Sequence, residues 1–224
     1  MSDLPQSPQD LAAIYRHRFA GKQEYRLRVW SELVERVFAA WIPETATVLD
    51  LGCGYCEFIN QVHAGRKYGM DLNPDAIRHA GADVTILPHD CSQAWPLPNA
   101  SLDTVFTSNF FEHLPSKKHL EETLGHIFRA LKPGGRLIAM GPNIRCVPGA
   151  YWDFFDHHIP LTDRSLAEAL EKNGFSLERM IPRFLPYTMS NHREYPVALL
   201  RLYLMLPLFW PFFGHQFLIV AKKP

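Results

Sequence analysis

The chain has 224 residues, of which 47% are hydrophobic, and its 23 Lys and Arg residues balance its 23 Asp and Glu residues. A chain of this length and composition suits one globular domain with a full apolar core, and disorder is excluded. With no excess of positive charge to neutralise phosphates, no nucleic-acid partner is expected.

The two ends of the first 44 residues predict a helical N-terminal cap (1–44). Ser7-Pro8-Gln9-Asp10 has the residues of a helix start, and Pro43 ends a later helix whose apolar stripe has helical spacing. The polar start MSDLPQSPQD is unlike a secretory signal, and four cysteines are too few for a disulfide scaffold. We therefore expect a reduced, cytoplasmic protein.

Short apolar runs then alternate with helical segments. Strands are predicted at 47–51, 67–72, 83–87, 101–108 and 136–141, with a helix at 117–131 before the fifth. This alternation predicts an α/β fold with a mostly parallel, doubly wound, Rossmann-like sheet. Beyond an aromatic stretch at 143–161, we predict a helix at 163–173, a sixth strand at 175–181 and a final strand in HQFLIVAKK.

The tract PVALLRLYLMLPLFWPFF, residues 196–213, is too short and too interrupted for a membrane span, because it contains Arg201, Pro207 and Pro211. Three interpretations remain open. In the first, the tract packs as core between strands six and seven. In the second, it forms a lid over an acceptor pocket together with the aromatic residues Tyr151, Trp152, Phe154 and Phe155. In the third, it makes transient contact with a membrane surface. The lid is preferred to the membrane contact because the tract carries a single cation.

The stretch TVLDLGCGYC, residues 47–56, runs from the first strand into a glycine turn, where open α/β sheets bind ligands. Cys53 and Cys56 have the spacing of a redox dithiol, but such a motif does not need Gly52 and Gly54. A dinucleotide site needs a third glycine, and Glu57 would repel a diphosphate. S-adenosylmethionine carries a cationic sulfonium and no phosphate, so acidic residues suit it.

Two aspartates stand where the other parts of that cofactor would lie. Asp71 follows the second strand, about 20 residues after the turn, where a carboxylate binds a ribose diol. Asp90 follows the third strand, where an acceptor can receive the adenine amino group. Each residue alone has an ordinary explanation as a cap or loop residue; their joint placement favours S-adenosylmethionine.

The stretches VLDLGCGYCEF, YGMDLNPDA, ILPHDCSQAWPLPNASLDTVFTSNFFEHL and LKPGGRLIAMGPN resemble the successive motifs of class I S-adenosylmethionine-dependent methyltransferases, in the small-molecule branch that includes quinone-type enzymes. The resemblance covers 46–143 well and implies a seven-stranded sheet with the last strand antiparallel. It also implies a set of cofactor-binding residues: Asp50, Gly52, Cys53, Gly54, Asp71, Leu72, Asp90, Cys91, Asn109 and Phe110. The family pattern D-x-G-x-G-x-G has Cys56 at its third glycine, so we expect a slightly displaced helix with binding retained.

Three histidines are candidate general bases for a hydroxyl acceptor, because the reference pKa of histidine suits neutral pH. His113 follows the fourth strand, whereas His157 and His158 lie in the aromatic segment. A bracing role for His113 and a surface position for the other two are the structural alternatives. Some relatives in the quinone-type branch resemble E-x-x-E-H at His113; here the first position is Asn109, a weak ligand, so no metal is predicted.

These residues predict an S-adenosylmethionine-dependent methyltransferase acting on a small apolar or aromatic acceptor, with O-methylation favoured. The alternatives are a non-catalytic scaffold subunit, an enzyme for lipid-like or sugar acceptors at a membrane surface, and a nicotinamide oxidoreductase. Within one domain spanning 1–224, we expect a cofactor core at 45–143, an acceptor-pocket or lid region at 144–214 and the final strand at 215–224.

Overall fold

The computed structural model describes residues 7–19, 21–187 and 194–224. Seven strands form one sheet: β1 (Thr47–Leu51), β2 (Arg66–Met70), β3 (Val84–Leu87), β4 (Leu102–Ser108), β5 (Leu131–Pro142), β6 (Ser176–Ile181) and β7 (Gln216–Lys222). Their order is β3-β2-β1-β4-β5-β7-β6. The first five strands pair in parallel, and β7 runs antiparallel to both β5 and β6. The predicted Rossmann-like, doubly wound sheet with an antiparallel last strand is confirmed.

This strand order decides where a ligand can bind. The chain moves outward from β1 to β3 and then returns to place β4 on the other side of β1. Helices that connect β1 to β2 and β4 to β5 therefore leave the sheet in opposite directions, which opens a crevice at the carboxyl ends of β1 and β4. Gly52 and Asn109 directly follow those two ends.

Eight α-helices surround the sheet in the described residues: α1 (Pro8–Phe19), α2 (Gln23–Arg36), α3 (Glu57–Gln61), α4 (Ala76–His79), α5 (Lys117–Ala130), α6 (Asp163–Lys172), α7 (Val197–Met205) and α8 (Trp210–Phe213). One core cluster packs α5 and α6 on the sheet through Leu124, Ile127 and Leu166. The other joins α2, α3 and α7 to the opposite face through Leu33, Ile59 and Leu204. The apolar sides of these helices therefore cover both faces of the sheet.

Local signals explain the helix starts better than the helix ends. Ser7 and Asp10 bond one another reciprocally at the start of α1, and Thr162 forms a capping box with Ser165 at the start of α6. The helix predicted to reach Pro43 ends earlier, at Arg36, and continues as a 3-10 turn over Phe38–Trp41. β5 begins at Leu131, directly after α5, because Leu131 already pairs with Leu102.

The apolar tract forms α7, a 3-10 turn over Pro207–Phe209, and α8. Within the described ranges, no helix has the length and apolar character needed to cross a membrane.

Candidate functional site

The glycine turn after β1 has the backbone of a close-approach cradle. Gly52 and Gly54 have φ of 73° and 51°, and the amide of Gly52 donates to the Met70 carbonyl at 2.8 Å. A Cβ at Gly52 would overlap the Phe110 ring, and a Cβ at Gly54 would lie 2.8 Å from Cε1 of Tyr15. Only glycine fits at these two positions, because a side chain there would meet the two rings and would need a positive φ.

The two cysteines of the turn are buried and reduced. Their Sγ atoms are 3.9 Å apart, and the Cys56 thiol donates to the Ala76 carbonyl at 3.6 Å. The Cys56 hydrogen bond and burial raise the pKa of the Cys53 thiol well above its ordinary value. A redox nucleophile needs a lowered pKa instead. Cys56 has φ of 61°, which accounts for the glycine that the family pattern places there.

Asp71 holds the turn from the end of β2. Its carboxylate accepts from the Gly54 amide at 2.7 Å and from the Asn73 amide at 2.8 Å. Asp50, at the end of β1, is 3% exposed. Burial raises the pKa of both carboxyls; Asp71 and Glu57 raise that of Asp50 further, whereas the backbone bonds oppose the rise at Asp71. The turn is therefore an acidic environment, which suits a cationic ligand.

The residues after β3 have more local roles. Asp90 accepts from the Ser92 amide at 2.9 Å, and the Cys91 thiol is buried 3.4 Å from the Thr123 hydroxyl. Burial raises the pKa of Cys91 to about 12. Cys91 packs in the core below α5, so only its backbone is left for an adenine edge.

A cavity of about 110 Å³ lies between the turn and the end of β4. Five predicted cofactor residues line it: Asp50, Gly52, Cys53, Gly54 and Asn109. The other five, Asp71, Leu72, Asp90, Cys91 and Phe110, are absent from its lining. The cavity is smaller than usual ligand pockets, which span about 300–1,000 Å³, and the Tyr15 ring lines it beside Gly54.

Aromatic rings form one wall of the cavity. Trp30 of α2 meets Phe58 and Phe106 edge-on at 5.9 Å, and the wall is completed by Phe154 from the segment after β5 and by Tyr187 from the segment after β6. Tyr151 is buried behind them, but Trp152 and Phe155 are 54% and 94% exposed. No residue of 196–213 lines the cavity, so the lid interpretation of that tract has no support in the lining.

Two of the three predicted histidines meet in the cavity lining, where the His157 ring stacks on Phe154 at 5.0 Å. The His113 and His157 rings lie 4.8 Å apart. His113 Nδ1 is 2.9 Å from the Asp156 carbonyl and 3.3 Å from its carboxylate. Burial lowers the pKa of His113, although the negative charge of Asp156 opposes this shift. Burial and the neighbouring His113 lower the pKa of His157 to about 3. His158 is not a lining residue; its amide donates to the Glu112 carbonyl at 2.8 Å.

Glu112 adds a buried acid beside the histidines. Its side chain is 2% exposed, and Oε1 is buried without a hydrogen-bond partner. Burial raises the pKa of Glu112 to about 8. Ligand atoms of Glu112, His113 and His157 all lie within 4.8 Å of one another, a spacing that a metal ion could bridge.

The N-terminal helices supply the positive charge of the site, which the sequence did not reveal. Arg18 donates to the Asp156 carboxylate at 2.7 Å, and Arg26 donates to Glu57 at 2.6 Å. The guanidinium of Arg18 also lies 4.8 Å from the centre of the Phe154 ring. Burial would raise the pKa of Asp156, but His113 and Arg18 outweigh it and lower that pKa. Asp156 is therefore a charged partner for His113.

Comparisons with known proteins agree with this geometry. Residues 22–179 match the family described as a methyltransferase domain. A search of curated proteins gave no significant match.

Solved structures share the fold over almost the whole chain. A chain of the complex containing the Haloferax volcanii Trm112 methyltransferase activator is 20% identical, with a TM-score of 0.69, and the match covers 96% of this chain and 98% of that one. A SAM-dependent methyltransferase from Archaeoglobus fulgidus is 20% identical, with a TM-score of 0.67 and coverages of 92% and 99%. One from Thermotoga maritima is 18% identical, with a TM-score of 0.67 and coverages of 96% and 100%.

The family match spans most of the chain, and the strand order, glycine turn and acidic ligand edge agree with it. The chain belongs to the methyltransferase-domain family and is a class I methyltransferase that uses S-adenosylmethionine as its cofactor.

Proposed function

We propose that the enzyme methylates a hydroxyl group of a small apolar or aromatic molecule, with His113 as the general base. The observation that carries this proposal is the position of His113. It lies in the wall of an aromatic-lined cavity beside the glycine turn, and its Nδ1 is held by Asp156. A histidine held through one ring nitrogen presents the other to a substrate.

The residues present suit S-adenosylmethionine. Gly52 and Gly54 would receive its methionine end, Asp71 would accept from the ribose diol, and the buried carboxylate of Asp50 suits its positive charges. Asp90, Leu72 and the backbone of Cys91 would face the adenine. When bound, the cofactor supplies an electrophilic methyl group on a cationic sulfur.

The protein's own residues align the acceptor and handle its proton. Trp30, Phe154 and Tyr187 would hold an aromatic acceptor by ring contacts. His113 Nε2 would take the hydroxyl proton of the acceptor, whose oxygen would receive the methyl group that the bound cofactor supplies. Asp156, fixed by Arg18, keeps the ring in the tautomer with the proton on Nδ1 and stabilises the imidazolium that results.

The test compares His113→Gln with His158→Gln, using a labelled methyl donor and a panel of phenols, amines and thiols. Loss of a general base should lower turnover on phenols about 10²–10⁴-fold in His113→Gln, with cofactor affinity unchanged. His158→Gln should behave like the parent, because its side chain is outside the cavity lining. The parent's kcat/KM should rise with pH and level off below the ordinary histidine pKa of about 6.5, since burial lowers the pKa of His113.

Other outcomes would contradict the proposal in distinct ways. Equal loss of cofactor affinity in His113→Gln would make the residue structural. Methyl transfer to amines but not to phenols would contradict the proposal of O-methylation. Activity abolished by a chelator and restored by a divalent metal would assign Glu112, His113 and His157 to a metal ion.

A further inference from the structure

A large apolar face covers the outside of the α7–α8 segment. Its side chains, which we call the outer apolar face, are Leu199, Leu202, Met205, Leu206, Leu208, Phe209, Phe212 and Phe213. Leu208 and Phe212 are 78% and 71% exposed, so they project from the surface. Contiguous exposed apolar groups on this scale mark an interaction surface.

The inner side of the same segment is firmly attached to the protein. Leu204 is buried in the core cluster with α2, and the Trp210 ring lies 5.0 Å from that of Phe184. The Trp210 Nε1–H donates to the Tyr203 carbonyl at 3.0 Å, and Arg201 donates to Glu32 of α2 at 2.7 Å. Because the inner side of the segment is fixed by these contacts, the side chains of the outer apolar face point toward solvent.

A basic groove borders this face. It has a volume of about 480 Å³, and its lining includes Arg145, Arg179 and Arg183 together with Pro207, Trp210 and Pro211 of the segment. Arg183 donates to the Pro211 carbonyl at 3.0 Å, which joins the groove to the segment. Among the described residues, no carboxylate lines the groove; Asp163 contacts Arg145 from outside at 3.4 Å.

We propose that the α7–α8 segment and the basic groove dock the enzyme on the surface of a bilayer that contains anionic lipids. The outer apolar face enters the headgroup–acyl boundary, and the three arginines bind lipid phosphates. Arg145 comes from the loop after β5, Arg179 from β6 and Arg183 from the segment after β6, so the sequence of the 196–213 tract does not contain these positive charges. Because no described helix is long and apolar enough to span, the contact is peripheral.

Two features favour a lipid surface over a protein partner. The projecting apolar side chains border a groove that three arginines line, and a bilayer with anionic lipids presents acyl chains and phosphates side by side. The groove also follows β5, at the sheet edge where the glycine turn and the cavity lie. Docking would turn that edge toward the membrane.

The test is flotation of the full chain with vesicles of phosphatidylcholine alone or mixed with phosphatidylserine, at low and high salt. We expect binding to the mixed vesicles, little binding to the neutral ones, and weakening by salt. Leu208→Ser with Phe212→Ser should abolish binding. Arg179→Gln should weaken it roughly fivefold, the effect of one arginine near an anionic surface. Ile77→Ser and Arg66→Gln, which remove exposed side chains elsewhere, are the matched controls.

The proposal does not depend on the methylated acceptor, because flotation is measured without turnover. It is overturned if the parent does not bind the vesicles that contain phosphatidylserine. It is also overturned if the control variants lose as much binding as the variants of the outer apolar face and the groove. If the parent self-associates, does not bind vesicles, and becomes monomeric in the variant with Leu208→Ser and Phe212→Ser, the outer apolar face is a protein interface instead. Unchanged thermal unfolding and cofactor affinity in every variant would confirm that the fold is intact.

Discussion

Replacing the buried Glu112 by Gln should change how stability depends on pH. The side chain is 2% exposed, and burial raises its pKa from 4.5 to about 8. In the unfolded chain this carboxyl ionises near its ordinary pKa, so at neutral pH folding must take up a proton. The stability contributed by the neutral acid is complete below the unfolded pKa and is lost as pH rises toward about 8. Gln has no such proton to bind.

The expected size follows from the two pKa values. Each unit of difference corresponds to about 1.36 kcal/mol. Between about pH 5 and pH 7 the proton linkage of Glu112 should cost the parent about 2–3 kcal/mol of unfolding free energy. Over that range, Glu112→Gln should gain this amount relative to the parent. The lowered pKa values of His113 and His157 act in the opposite direction, but they act on both proteins and cancel in the comparison.

The assay is urea unfolding of both proteins at a series of pH values, with Glu168→Gln as the control. Glu168 is exposed on α6, so its replacement removes an acidic side chain at the surface and leaves the buried acid in place. Hydrogen bonds from the His158 and Ile159 amides go to the Glu112 carbonyl and survive the substitution. A difference between Glu112→Gln and the parent that does not change with pH would show that the carboxyl is ionised in the folded protein. The argument from burial would then be refuted.

Two further predictions concern the glycine turn. Asp71→Asn should bind S-adenosylmethionine about 10–100-fold more weakly by calorimetry, because charge-assisted hydrogen bonds worth about 1.5–3 kcal/mol each would be lost; an unchanged titration would remove Asp71 from the ribose site. The double variant Cys53→Ala, Cys56→Ala should stay folded and bind the cofactor, with a stability loss of about 1–3 kcal/mol from lost packing. A folded double variant without any activity would restore the redox interpretation.

Motifs that are local in the chain could be predicted from the sequence. Asp50, Gly52 and Gly54 sit within one strand-to-helix turn, and Asp71 follows the next strand. A parallel sheet brings the carboxyl ends of its strands to one edge, so their proximity follows from the alternation of strands and helices. The same reasoning placed His113 at that edge, and the antiparallel final strand followed from the family resemblance.

Residues that meet through packing could not be predicted in this way. Arg18 is 138 positions from Asp156, and Arg26 is 31 positions from Glu57. His157 and His158 are adjacent in sequence, yet only His157 reaches the cavity, because successive side chains leave an irregular segment in different directions. The 196–213 tract itself carries one cation, and the fold brings three arginines beside it from the loop after β5, from β6 and from the segment after β6.

The sequence by itself determined the sheet, the glycine turn and the cofactor edge, because hydrophobic period and turn chemistry act over a few neighbouring residues. Only the tertiary structure decided which charges pair, which histidine faces the cavity and which apolar residues remain outside. Those outcomes depend on contacts between distant segments, where burial and charge are set by whatever the fold places alongside.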